Sequence, residues 1–146
     1  MSRGSSHQGD TTENTYTDLG AYTEEAYEIS RRGRMIVRGA VGNETREDRI
    51  RQRCSVAVGD CSMAGLMRFR GDPVTAGLTA LAEGRPIVTD IRMVSVGIQR
   101  KGHGCPVHCA LDRGAALAQE RGITRASAGL LCSRDLLTGA IVVIGN

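Results

Sequence analysis

Three short apolar runs, each stopping on a polar residue, restrict the fold more than any other feature of the chain: Pro86 to Asp90 (PIVTD), Pro106 to Asp112 (PVHCALD) and Gly139 to Asn146 (GAIVVIGN). Nearly continuous apolar strands belong to parallel sheets buried on both faces, whereas half-exposed strands alternate polar with apolar residues. The segments between them read as helices. Asp72 followed by Pro73 is an N-cap with proline at the first helical position, so PVTAGLTALAEG forms a short helix closed by Gly84. Beyond Asp112, which is placed to cap the next helix, RGAALAQERG and TRASAGLLCSRDLL read as two further helices. Strands alternating with helices through short turns predict an α/β domain with a parallel sheet covered on both faces.

The first half of the chain contributes helices alone. In TEEAYEISRRGRMIVRGAVG the residues Ala26, Ile29, Gly33 and Ile36 with Val37 share one helical face, acidic residues occupy the first turn and arginines come later, an order that suits the helix dipole. This helix stops near Gly42. NETREDRIRQRCSVAVGD then offers the capping pair Thr45 and Asp48 and a helix that Gly59 ends. Residues 1–22 are small and polar without periodicity and read as a flexible tail, leaving one domain over 23–146.

With 146 residues the chain is long enough to bury a core without disulfides or metal, and with no Trp and one Phe that core is aliphatic. No apolar run reaches membrane-spanning length and the N-terminus lacks a signal-peptide core, so the expectation is a cytoplasmic protein away from membranes. Five cysteines, Cys54, Cys61, Cys105, Cys109 and Cys132, are an odd number in mostly apolar surroundings and read as reduced core thiols. Eight arginines crowd residues 31–53, and Lys101 is the only lysine in the chain. Guanidinium forks suit carboxylates and phosphates, so an anionic partner is a fair inference, although a solvated helix face is the commoner explanation of such a run. Nucleic acid is the less fitting anion, because residues that would stack bases are nearly absent.

In open parallel sheets the ligand crevice lies beyond the carboxyl ends of the strands, which places Asp90, Asp112 and Asn146 at the edge where a site forms, with Arg92 close behind. The plainer reading of each acid is a cap for the next helix. His103, Cys105, His108 and Cys109 have ligand chemistry but unsuitable spacing: His108 and Cys109 are adjacent on a strand and point to opposite faces, so no metal is expected. GDPVTAG and KGHG match no phosphate loop.

The run RPIVTDIRMVSVGI, then VHCALD, GITRASAG and GAIVVIGN, in this order and spacing, resembles the precorrin-8X methylmutase family, known as cobalt-precorrin-8 methylmutase in the anaerobic route. The resemblance covers residues 23–146. It implies a three-layer α/β/α fold of flavodoxin-like type with a mainly parallel sheet, a homodimer, and an isomerase of cobalamin biosynthesis without a cofactor. The implied reaction is a 1,5-shift of a methyl group from C-11 to C-12 of an acidic tetrapyrrole, giving hydrogenobyrinate or cobyrinate. On this resemblance Arg125 and Thr124 of the TR motif, with Asp90 and Arg92, contact the substrate, and the stretch from Asp90 to Gly97 forms a strand end and turn lining its pocket.

The resemblance also marks departures. The family's proton-handling histidine falls on Val56, leaving Asp60, Cys54 and His103 as other proton groups, and its early serine falls on Gly33, with Ser30 one turn away in its place. Family members continue past the final Gly-Asn with further elements, so the domain is expected to be incomplete at its C-terminus. A non-catalytic tetrapyrrole carrier that has lost the histidine is the alternative, and a basic nucleic-acid module a third.

Overall fold

The computed structural model describes residues 23–145, so the proposed tail 1–22 and Asn146 lie outside the described residues. The chain divides after Phe69 into two compact units. Among the described residues no helix is long and apolar enough to cross a membrane.

The first unit is helical. Helix α1 (Glu24–Val41) starts where the Thr23 hydroxyl accepts from the Ala26 amide at 3.1 Å and ends at Gly42, whose φ of 90° suits glycine. Helix α2 (Arg46–Val58) opens with the expected capping box: the Asp48 amide donates to the Thr45 hydroxyl at 3.2 Å, and the Asp48 carboxylate accepts from the Thr45 amide at 2.8 Å. Gly59 closes it in the left-handed conformation. The Gln52 side chain donates to the Gly42 carbonyl and so ties the end of α1 to α2. A one-turn helix, α3 (Met63–Leu66), carries no periodic signal and is not legible in the sequence.

The apolar face expected on α1 is corrected in part: Val37 is buried, but Ile29 and Ile36 are exposed. Within its unit α1 packs on α2, and one neighbouring helix covers only a narrow stripe. The cysteines are corrected too. All five are free, but only Cys105 is buried, and Cys132 is exposed because the helix it ends, Arg125–Cys132, turns its small residues inward instead.

The second unit has the order α4 (Pro73–Ala82), β1 (Ile87–Thr89), α5 (Arg92–Gly97), β2 (Val107–Cys109), a 3-10 turn (Ala110–Asp112), α6 (Ala115–Arg121), α7 (Arg125–Cys132), α8 (Arg134–Leu137) and β3 (Ile141–Val143). Its sheet is wholly parallel in the order β2-β1-β3, with Val88 aligned to His108 on one side and Val142 on the other. This is the α/β arrangement expected from the alternation, and 2-1-3 opens the strand order of flavodoxin-like sheets. The central strand is fully buried.

Three local expectations change. The run after Asp90 is a helix rather than a strand end and turn, since Ile91 is extended and its carbonyl accepts from Ser95, starting α5. Asp112 neither ends a strand nor caps α6; it closes the 3-10 turn, and α6 starts at Gly114 without a side-chain cap. The segment from Thr124 to Leu137 breaks at Ser133, whose buried hydroxyl donates to the Gly129 carbonyl at 2.8 Å.

The tightest packing in this unit uses residues without bulk. Ala110, Gly114, Ala118, Ala128 and Gly129 are buried where the 3-10 turn, α6 and α7 meet. A Cβ on Gly129 would overlap the Ala110 carbonyl, and one on Gly114 would overlap the carbonyl of Arg125 and the amide of Gly129. Gly77 within α4 has open space instead. Gly129→Ala is therefore expected to destabilise the protein by about 3 kcal/mol or more, the upper range of overpacking, because backbone must move. Gly77→Ala is expected to stabilise it by about 0.5–1 kcal/mol. Urea denaturation of both variants checks the pair, and equal effects would contradict the close approach.

Candidate functional site

After β2 the chain crosses β1 to lay β3 on its other side, so the direction of travel across the sheet reverses between β1 and β3. Open α/β sheets bind ligands in the crevice outside the carboxyl ends of the strands at such a switch point. Here those ends are Asp90 and the segment around Gly145.

Asp90 is 4% exposed. Its Oδ1 accepts from the Ile91 amide at 2.8 Å, and both oxygens lie 3.1 Å from the Gly145 amide. Its own amide donates to the Val143 carbonyl at 3.2 Å, so the residue ties the ends of both strands together. A side chain occupied in this way shapes the edge from within. Next to it the Arg92 guanidinium is paired with Asp112 at 2.6 Å and its side chain is 73% exposed. Arg125, exposed at the start of α7, donates to the Leu111 carbonyl at 3.3 Å. The two guanidinium groups are thus anchored on adjacent residues of one 3-10 turn. Thr124 is the N-cap of α7: its hydroxyl accepts from the Ser127 amide at 3.2 Å and donates to the Ser127 hydroxyl at 2.8 Å.

Ser30, Val56 and Asp60 belong to the helical unit. The Ser30 hydroxyl accepts from Arg34 at 2.8 Å, and Val56 is half-buried on α2. Asp60 is exposed just after that helix and accepts from the Ser62 amide at 2.8 Å and hydroxyl at 2.7 Å. These bonds, the hydroxyl first, hold its carboxyl below the usual carboxylate range, so at neutral pH it is ionised and has no proton to supply. Much of the arginine run is already engaged. Arg31 and Arg32 both bond Glu28, which pulls the Glu28 carboxyl down to about 2, and Arg51 bonds Asp48 at 2.8 Å and stacks over Phe69 at 4.7 Å.

His103 and Cys105 are occupied by backbone. His103 Nδ1 accepts from the Cys105 amide at 3.3 Å and Nε2 lies 2.8 Å from the Gln99 carbonyl, so the ring carries its proton on Nε2. The Cys105 thiol donates to the Leu81 carbonyl at 3.7 Å. Among the described residues no three His, Cys, Asp or Glu side chains gather closely enough to hold a metal ion.

Comparison with known proteins bears on this edge. The family model of CbiC, precorrin-8X methylmutase, matches residues 28–146. The chain belongs to this family. It is 32% identical over 140 residues to the cobalt-precorrin-8 methylmutase of Methanocaldococcus jannaschii, covering 88% of this chain and 64% of that one. It is 40% identical over 84 residues to the precorrin-8X methylmutase of Pseudomonas aeruginosa, covering 55% of this chain and 40% of that one. The solved precorrin-8X methylmutase of Thermus thermophilus superposes with a TM-score of 0.69 at 30% identity, over 82% of this chain and 62% of that one. The chain spans under two thirds of the length of the curated relatives it matches.

For this family member, the sequence placed Asp90 at the end of a strand, as the structure has it, but not the contacts built around it. Gly145, the Arg92–Asp112 pair and the Leu111 carbonyl carried no signal beyond an acid near the end of each strand. Asp60 gives a direct check of the local electrostatics. A carboxyl depressed on folding contributes stability above its unfolded pKa and loses it as pH falls through the folded value. NMR titration is expected to place the Asp60 midpoint below that of the unfolded chain, and Ser62→Ala to raise it. An unmoved midpoint would exclude the hydroxyl as the cause.

Proposed function

We propose that this protein is an isomerase of cobalamin biosynthesis that shifts a methyl group from C-11 to C-12 of precorrin-8X or cobalt-precorrin-8, giving hydrogenobyrinate or cobyrinate. The observation that carries this reading is the family match over residues 28–146, which takes in the whole switch-point edge. A sigmatropic shift needs no nucleophile, so the protein's work is to hold the reactive tautomer and to meet the charge that develops as the methyl moves. Arg125 and Arg92 supply exposed guanidinium groups for the acidic substrate, and Thr124 supplies a hydroxyl. Asp90 acts by positioning Gly145 and α5. The protein works as a homodimer in the cytoplasm with no cofactor of its own.

Val56 favours a second reading. A valine moves no protons, and with the family histidine's position so filled, the result is a protein that binds the tetrapyrrole without turning it over. Incubation with precorrin-8X or cobalt-precorrin-8 and an absorbance scan separates the two: a product spectrum supports the isomerase, a bound but unchanged spectrum supports the carrier, and no spectral change rejects both. In the same titration Arg125→Ala is expected to weaken tetrapyrrole binding by more than about 1.5 kcal/mol, the scale of a lost hydrogen bond between charged groups. Unchanged affinity removes Arg125 from the site.

A further inference from the structure

Three arginines of α2 stand apart from the rest of the arginine run. Arg46, Arg49 and Arg53 are exposed, and among the described residues their guanidinium groups have no hydrogen-bond or ion-pair partner. At about 100° and 1.5 Å per residue they form a single stripe, roughly 60° wide and about 10 Å long. Exposed Ala57 and half-buried Ile50 border it on one side. The two acids of the helix, Glu47 and Asp48, lie about 100° or more around from each of the three. Asp48 is in any case bound by Arg51 and by the Glu44 and Thr45 amides. The stripe is unfavourable for α2 itself. Like charges three and four residues apart repel, and Arg46 at the first helical position sets a cation against the positive end of the helix dipole. A face that met only water would carry a carboxylate among its arginines, as α1 does with Glu28 beside Arg31 and Arg32.

We propose that Arg46, Arg49 and Arg53 dock the acidic face of a helix from a partner protein, a role separate from the function proposed above. The stripe follows the axis of α2 over two turns, and carboxylates at i, i+4 and i+7 of a facing helix repeat with the same rise. Guanidinium forks pair with carboxylates through two parallel hydrogen bonds, so each turn of the partner meets one fork. Ala57 and Ile50 give the apolar residues of an amphipathic helix a surface beside the charges. Nucleic acid fits this face less well. The stripe has no aromatic side chain on which a base could stack, and Phe69, the one phenylalanine of the chain, lies under Arg51.

The test uses the full chain and two labelled helical peptides of one alanine, leucine and glutamate composition. One carries its glutamates in a single stripe at i, i+4 and i+7, and the other spreads them around the helix. Fluorescence anisotropy at low salt is expected to show the striped peptide bound more tightly than the spread one. Arg46→Gln with Arg49→Gln and Arg53→Gln is expected to weaken it ~10-fold or more, the scale of two or three exposed ion pairs. Arg31→Gln with Arg32→Gln removes charge that Glu28 already engages and is expected to leave the affinity unchanged. Because the three arginines face water and repel one another, the thermal midpoint of the triple variant stays the same or rises; a marked fall would mean that they hold the fold and overturn the proposal. Arg49→Gln alone, at the centre of the stripe, repeats the binding test with less disturbance. Failure to bind the striped peptide, equal binding of both peptides, or an equal loss in the Arg31 and Arg32 variant each overturns the docking surface. Tighter binding of a DNA duplex, lost in the same triple variant, gives the stripe to nucleic acid instead, and displacement of the peptide by cobyrinate gives it to the substrate. A change of oligomeric state in the triple variant gives it to a second copy of this chain, and each of these three outcomes overturns the proposal.

Discussion

The carboxylate of Asp90 is almost entirely removed from water, and a carboxylate in that position is tolerable only when its oxygens accept hydrogen bonds. They accept from the amides of Ile91 and Gly145, one beginning α5 and the other just past β3. Hydrogen bonds to charged groups contribute about 1.5–3 kcal/mol each, and leaving the carboxylate unpaired would cost at least as much. The same contacts decide where the backbone of two elements lies. Through Gly145 they set the depth at which Val94 packs, and through Val94 the side of α5 that faces outward.

A second constraint operates across the 3-10 turn after β2. The backbone of α7 comes against the Ala110 carbonyl at a point where only glycine leaves room, and Gly114 meets the first turn of the same helix. This contact brings the start of α7 beside Leu111, so that Arg125 can donate to its carbonyl while the next residue, Asp112, holds Arg92. The two arginines owe their placement to small residues that carry no chemistry themselves.

Charge is distributed between structure and function. Arg31, Arg32 and Arg51 are spent on neighbouring carboxylates within their own helices; the two exposed contacts to Glu28 contribute little, and the Arg51–Asp48 pair is half-buried. Arg92 and Arg125 belong to the sheet edge, and the acidic ligand proposed for that edge would meet guanidinium groups already held in place. Preorganisation of this kind spares the ligand the entropy of ordering the side chain.

Local chemistry made much of the fold legible in the sequence. Thr45 with Asp48, Asp72 with Pro73, and the glycines at 42 and 59 mark helix ends through bonds or dihedrals that involve residues a few positions apart, and the three apolar runs named the strands for the same reason. The strand order and the partners of Asp90, Asp112 and Arg125 depend on residues 14 to 55 positions away. No local pattern encodes these, because they arise from how crossovers carry the chain over the sheet and where glycine lets backbone approach backbone. The sequence by itself determined the three strands, the helices α1, α2, α4, α6 and α7, and which family the chain resembles. Only the tertiary structure decided that Asp90 is buried, that the run after it is a helix, and which face of that helix meets water, since each is set by contacts between segments that the chain brings together only on folding.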